Sequence, residues 1–269
     1  MRLPRNAACW LLGFGLTVVL GAAADGPARN LDSGSKLSVR TEYFAALAPG
    51  ATEESLPVNL VAWKCRREGQ LEVLEREVLF GAGELRLLHT ENMGLGTPRL
   101  VWRELGRMGR TWVAEWSPER GELLTLEFSA AEDVHRLQGV EEVSFPLGLV
   151  EELRHGIVRG GPVGRLSPTH AGLEQVSVSA LEGLPADLPA WTRTKLEALE
   201  ARCVELRTEA GRLLVRYVFD GDQLMAFQWG SGGAWSVRVS QADWQRYEEA
   251  WYVAQRRAAS SPQSATPAK

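Results

Sequence analysis

The chain has 269 residues, with 30 basic against 34 acidic side chains and a formal net charge of −4. A mildly acidic chain lacks the basic surface that general nucleic-acid binding requires, so no nucleic-acid partner is expected. The length suffices for one large β domain or two small ones, and a hydrophobic content of 45% is ordinary for a globular protein.

The N-terminus reads as an export leader. Arg2 and Arg5 give a basic start, 9–20 is an apolar run without a charge, and Ala22, Ala23 and Ala24 are residues that signal peptidase accepts. Residues 1–24 are therefore expected to be a signal peptide, and 25–35 a flexible linker, in a periplasmic, cell-envelope or secreted protein. The alternative is an uncleaved anchor, because 7–24 is at the lower limit for spanning a bilayer. The Ala-rich exit and the polar segment after it favour cleavage. Cys9 stands at the start of the apolar run rather than its end, which argues against lipid attachment. Removal of Arg2 and Arg5 leaves 28 basic against 34 acidic residues, a mature net charge of about −6. No long apolar run follows, so the mature chain is not expected to span a membrane with a helix.

Cleavage leaves two cysteines, Cys65 and Cys203. In an oxidising compartment they are a possible disulfide; two buried thiols packed as small hydrophobes is the other reading. Nothing in the sequence brings them together.

A single β-rich domain is expected over 36–256. Gly69, Gly83, Gly121, Gly211 and Gly221 each follow one strand-like run and precede another, as hairpin turns require. The flanking runs alternate with period two: Trp112, Ala114 and Trp116, then Leu124, Leu126 and Phe128, then Leu213, Val215, Tyr217 and Phe219. Glu115, Glu127 and Arg216 mark an opposite face that is partly solvated. Ten antiparallel strands are predicted, at about 37–45, 58–66, 71–80, 84–91, 98–105, 111–117, 122–129, 203–209, 212–219 and 223–229, with an eleventh at 234–239.

Ser144 is the predicted cap of a short central helix running to Leu153, with Pro146 in its first turn. The segment 157–191 is a possible internal connector in which 173–181 could be a strand, and 192–201 fits a strand or a short helix. Ser240 and Asp243 resemble a capping box, and Trp244, Tyr247, Trp251 and Ala254 then recur at helical spacing. Residues 257–269 read as a disordered tail. The expected fold is mainly β: a large twisted antiparallel sheet curved into an open or partial barrel, with a short central helix and a C-terminal amphipathic helix, one or both of them covering its concave face or an edge. In layout this is similar to the open half-barrels of bacterial envelope lipid and lipoprotein carriers, a likeness of fold that assigns no function.

No catalytic residue is assigned, and no metal or cofactor is expected. His89, His135, His155 and His170 stand at no metal-ligand spacing, and no GxSxG, SxxK or Walker sequence is present. Ser167 and His170 are near each other in SPTH, which is weak evidence for a nucleophile and base. His155 suits the C-terminus of the central helix, and His89 and His135 read as surface or cross-strand residues.

Tryptophan is the one excess, with nine left after cleavage. They either fill a β core or line a concave face. Trp102, Trp112 and Trp116 are the candidate ligand-binding residues; Trp112 and Trp116 share a strand face about 13 Å apart. The expected function is a non-enzymatic exported protein that binds a lipid-like or glycan ligand or a protein partner. The alternatives are a hydrolase with an unsignalled carboxylate or histidine site, and a structural or assembly protein that pairs through its sheet edges.

Overall fold

Period-two alternation carries most of the chain into strands. The computed structural model describes residues 37–52, 55–80, 85–94, 97–106, 109–128, 133–157, 162–167, 172–199, 201–230 and 232–260. The expected leader and linker, the turn at Gly83, His170 and the tail beyond 260 lie outside the described residues.

Fourteen strands form one antiparallel sheet: β1 (Ser38–Leu47), β2 (Asn59–Glu68), β3 (Leu71–Phe80), β4 (Leu85–Met93), β5 (Arg99–Leu105), β6 (Thr111–Ser117), β7 (Glu122–Phe128), β8 (Asp133–Gln138), β9 (Val163–Leu166), β10 (Leu173–Leu181), β11 (Arg202–Thr208), β12 (Leu213–Asp220), β13 (Gln223–Trp229) and β14 (Trp235–Val239). Two meanders, β1 to β8 and β9 to β14, are joined where β1 pairs with β14, with Tyr43 opposite Val239. Among the described residues the strand order runs from β8 to β9 without closing into a ring. Gly121 turns the chain from β6 into β7 at a φ of 57°, a left-handed conformation that favours glycine.

The sheet curls strongly. β3 and β13 are four steps apart in strand order, about 19 Å on a flat sheet. Yet the guanidinium carbon of Arg76 on β3 lies 4.9 Å from the ring centre of Trp229 on β13. The inner rows therefore meet across a hollow. Phe44, Trp63 and Phe227, from three strands, pack edge to face there at 5.2 and 6.2 Å.

Among the described residues three α-helices accompany the sheet: α1 (Pro146–Arg154), α2 (Ala190–Glu197) and α3 (Gln241–Ser260). α1 enters the hollow, where Leu147, Leu149, Val150 and Leu153 are buried among inner-row side chains. The two other helices cover the outside, so of the one or two helices expected on the concave face or an edge it is α1 that lies in the concavity. Leu196 of α2 packs with Leu47, Val218 and Trp235, and Trp251 of α3 with Ala45, Leu60 and Leu79. Trp251 also donates its indole N–H to the Pro57 carbonyl at 3.2 Å. Asp243 N–H donates to Ser240 Oγ at 3.0 Å, as a capping residue requires. Ala254 is exposed, so the apolar stripe ends at Trp251, while the helix continues through Ser260 into the segment read as a tail.

Ser144 is not the cap of α1. The cap position falls on Phe145 with no side-chain hydrogen bond, and Ser144 instead forms a parallel bridge with Arg165 of β9. Ser144 N–H donates to the Gly164 carbonyl at 2.7 Å, and Leu166 N–H donates to the Ser144 carbonyl at 3.1 Å. At the other end of this segment, Val140 N–H donates to the Gly121 carbonyl at 3.0 Å. The stretch 140–144 thus runs from the start of β7 to β9 before the chain turns inward as α1.

Candidate functional site

The inner row of β3 reads Leu74, Arg76, Val78 and Phe80, and the facing row of β4 reads Glu91, His89, Leu87 and Leu85. Phe80 pairs with Leu85 at the rim, Val78 with Leu87 one step in, and Arg76 with His89 two steps in. Trp102 lies opposite His89 on β5, and Phe227 and Trp229 approach from β13.

These residues bound a cleft of about 460 Å³ at one end of the hollow. Val61, Val78, Phe80, Leu85, Leu87 and Phe227 make its wall largely apolar. Polar atoms are few: Asn59, Glu104 and Ser236 line it besides Arg76. Glu104 accepts the Trp102 indole N–H at 3.1 Å. This is the usual make-up of a small-molecule site, apolar walls with a few placed polar groups.

Arg76 is the unusual member. It is only 4% exposed, and its guanidinium sits between the rings of Trp229 at 4.9 Å and Trp102 at 5.9 Å. Nη2 donates to His89 Nδ1 at 3.3 Å, while Nε has no hydrogen-bond partner. Burial pulls the Arg76 pKa down to about 10, with Arg165 pushing the same way and Tyr217 and Glu91 opposing, so the group stays charged at neutral pH. Burial also lowers the pKa of His89, against the opposing pull of Glu91. A neutral His89 accepts from Arg76 at Nδ1 and carries its proton on Nε2, which lies 2.8 Å from Glu91 Oε1.

Glu91 links the cleft to α1. Its two oxygens accept the N–H groups of Leu147 and Gly148, each at 2.8 Å. Carboxylate at a helix N-terminus satisfies orphan donors and complements the dipole. A second buried network holds the other end of the helix: Arg154 donates to Glu42 at 2.6 and 3.1 Å and to the Asp222 carbonyl at 2.7 Å.

The candidate tryptophans separate. Trp102 lines the cleft. Trp112, opposite it on β6, is fully buried and stacks on Trp102 at 6.0 Å, behind the wall. Trp116 is half-buried against the core and lies further from the rim. Two of the three are therefore packing rather than lining, because the inner row of β6 descends away from the cleft. Among the histidines, His135 and His155 are exposed, the latter at the C-cap of α1, whereas His89 is buried rather than at the surface.

Cys65 and Cys203 are free and buried. Their strands, β2 and β11, are five steps apart in the sheet. Cys65 packs with Trp63 and Phe44 on the inner face, and Cys203 with Trp235 and Leu196 on the outer. The possible disulfide is corrected accordingly, since opposite faces of a sheet cannot be bridged.

Cys65, Glu72 and Glu151 bring ligand-type atoms within 4.8 Å of one another, the arrangement among the described residues that comes nearest to a metal site. Both carboxylates already accept guanidinium groups, Glu72 from Arg67 at 2.5 Å and Glu151 from Arg40 at 2.6 Å. Burial, followed by Glu151 and Glu72, pushes the Cys65 thiol up to about 11, away from the thiolate that a metal needs. The cluster is an ion-pair network.

No family model matches the sequence. No curated protein matches it either. Among solved structures, a beta-barrel-like protein of domain of unknown function DUF1849 from Brucella abortus aligns with 74% of this chain and 95% of its own, at 10% identity and a TM-score of 0.48. No helix among the described residues is long and apolar enough to cross a membrane.

Proposed function

We propose that this chain is an exported, non-enzymatic binding protein of the cell envelope or its surroundings, and that its site is the cleft between β3, β4, β5 and β13. The observation that carries the reading is an apolar cleft of about 460 Å³ open at one end of the curled sheet, with α1 packed in the hollow beyond it. A cavity of that size takes one small apolar molecule. Its lining holds no histidine or cysteine; the nearby His89 accepts from Arg76 at Nδ1, and its Nε2 lies 2.8 Å from Glu91 Oε1. That favours carriage over hydrolysis. The leader-like 1–24 segment supports export.

The test is native mass spectrometry of the protein purified from the compartment to which its own leader delivers it. A co-purifying apolar molecule of constant mass is expected. A protein that is repeatedly empty, or that retains Met1 and fractionates with the cytosol, would overturn the reading.

A further inference from the structure

The one cation of the cleft lining lies at the inner end, and this bears on what fits. Level with Leu87, one step in from the rim, Glu104 is half-buried and carries the lining's one carboxylate. One inner-row step further in, about 7 Å at strand rise from the Glu104 level and about 13 Å from the Phe80–Leu85 rim, lies Arg76. From the rim to Arg76 the wall is Val61, Val78, Leu87 and Phe227. A cation buried to this extent normally has an anionic partner. Among the described residues Arg76 has no carboxylate at ion-pair distance. The neighbouring Glu91 is occupied by the N–H groups of Leu147 and Gly148, and Arg165 has its own partner in Glu174 at 3.2 Å. Arg76 uses one of its five donors, on His89, and its Nε–H is bare.

We propose that the cleft binds a single-chain amphiphile with a carboxylate head, head inward on Arg76 and apolar tail toward the rim. This rests on the reading of the cleft as a ligand site and names the chemistry it selects. The planar guanidinium fork matches a carboxylate with two parallel N–H···O bonds. A single cation in the lining balances a single negative charge. The Trp102 and Trp229 rings hold the guanidinium between them, so little ordering is needed on binding.

The test is calorimetric titration of the full mature chain at pH 8 with decanoate, decanol, decyltrimethylammonium and decyl phosphate. Decanoate is expected to bind about tenfold or more tightly than decanol, the size of one charge-assisted contact. Arg76→Gln and Arg76→Met should each erase that preference while decanol binding persists, and the latter keeps the apolar stem that packs between the tryptophans. A melting-temperature shift by each ligand gives a second readout for any variant of altered stability. Equal binding of decanol and decanoate, tighter binding of the ammonium or the phosphate, or an unchanged preference in both variants would overturn the headgroup assignment alone. Failure of all four ligands to bind would overturn it together with the reading of the cleft as a ligand site.

Discussion

Glu91 on β4 and Arg202 on β11 hold opposite ends of the same inner helix. Glu91 accepts the N–H groups of Leu147 and Gly148 at 2.8 Å, and Arg202 donates to the carbonyls of Leu153 and Arg154 at 2.5 and 2.9 Å. An anion at the N-terminus and a cation at the C-terminus each complement the helix dipole and satisfy groups that a nine-residue helix leaves unpaired. The two strands belong to different meanders, so α1 ties the halves of the sheet together from inside.

Glu91 is completely buried, and its replacement should be felt as a global loss. Glu91→Gln keeps one acceptor but turns an amide N–H₂ toward a backbone donor and removes the charge. The expected cost is about 1–3 kcal/mol, read as a lower denaturant midpoint with an unchanged slope. An unaltered midpoint would show that α1 is held by packing alone.

Acid should weaken the fold earlier than carboxylate titration explains. His89 faces Arg76 of β3, Glu91 of β4, Arg165 of β9 and Trp102 of β5, and burial lowers its pKa from the ordinary 6.5. In the window below pH 6.5 the unfolded chain takes up a proton that the folded chain refuses, so stability falls as pH falls there. Glu152, raised by burial from 4.5, acts with the opposite sign in part of that window. Denaturation of wild type and His89→Gln between pH 7 and 5 separates them: the variant should lose the decline or reverse it. Parallel curves for the two proteins would count against a neutral buried His89.

At the crossing of 140–144 onto β9, a side chain at Gly164 would have no room. A Cβ there would stand 2.9 Å from the Glu142 carbonyl oxygen, a backbone atom that yields only if the segment moves. Gly164→Ala should cost about 1–3 kcal/mol, with faster amide exchange at Ser144 and Leu166, whose N–H groups bond across this junction. Unchanged exchange at both residues would show that the junction is not tight.

Thiol chemistry checks the placement of the cysteines. Burial pushes Cys65 up to about 11 and Cys203 up to about 12, so neither is a thiolate at pH 8. Protein beginning at Asp25 should show no fast-reacting thiol when folded, and two when unfolded without reductant. No thiol after unfolding would mean a bond between strands that the sheet separates.

Much of the architecture was legible from alternation. The predicted strands from 37 to 129 and from 203 to 239 match the observed elements to within two residues, and Trp244, Tyr247 and Trp251 mark the docking stripe of α3. β8 escaped because all of its side chains with described burial are exposed, and β9 because its four residues are all buried; neither shows alternation. The cap of α1 escaped because Glu91 is 56 residues upstream of the N–H it binds. Arg76 stands in a row otherwise apolar, Leu74-Arg76-Val78, and His89 and Glu91 follow Leu85 and Leu87 in the facing row. A period of two gives two rows for each strand, and a charged residue argues for assigning its row to solvent. Only the curl of the sheet, which brings β13 over β3, turns those residues inward. The same curl separates Trp102 from Trp112 and Trp116, which the strand pattern treats alike.

The most direct test is equilibrium titration with Nile red, a neutral apolar probe whose emission rises in a dry site, followed by displacement with decanol. One saturable site per chain, displaced by decanol and lost in Leu87→Arg with the fold intact, is the expected result, since Leu87 lies on the cleft wall between the rim and Arg76. No saturable binding, or binding that survives in a folded Leu87→Arg, would contradict the account.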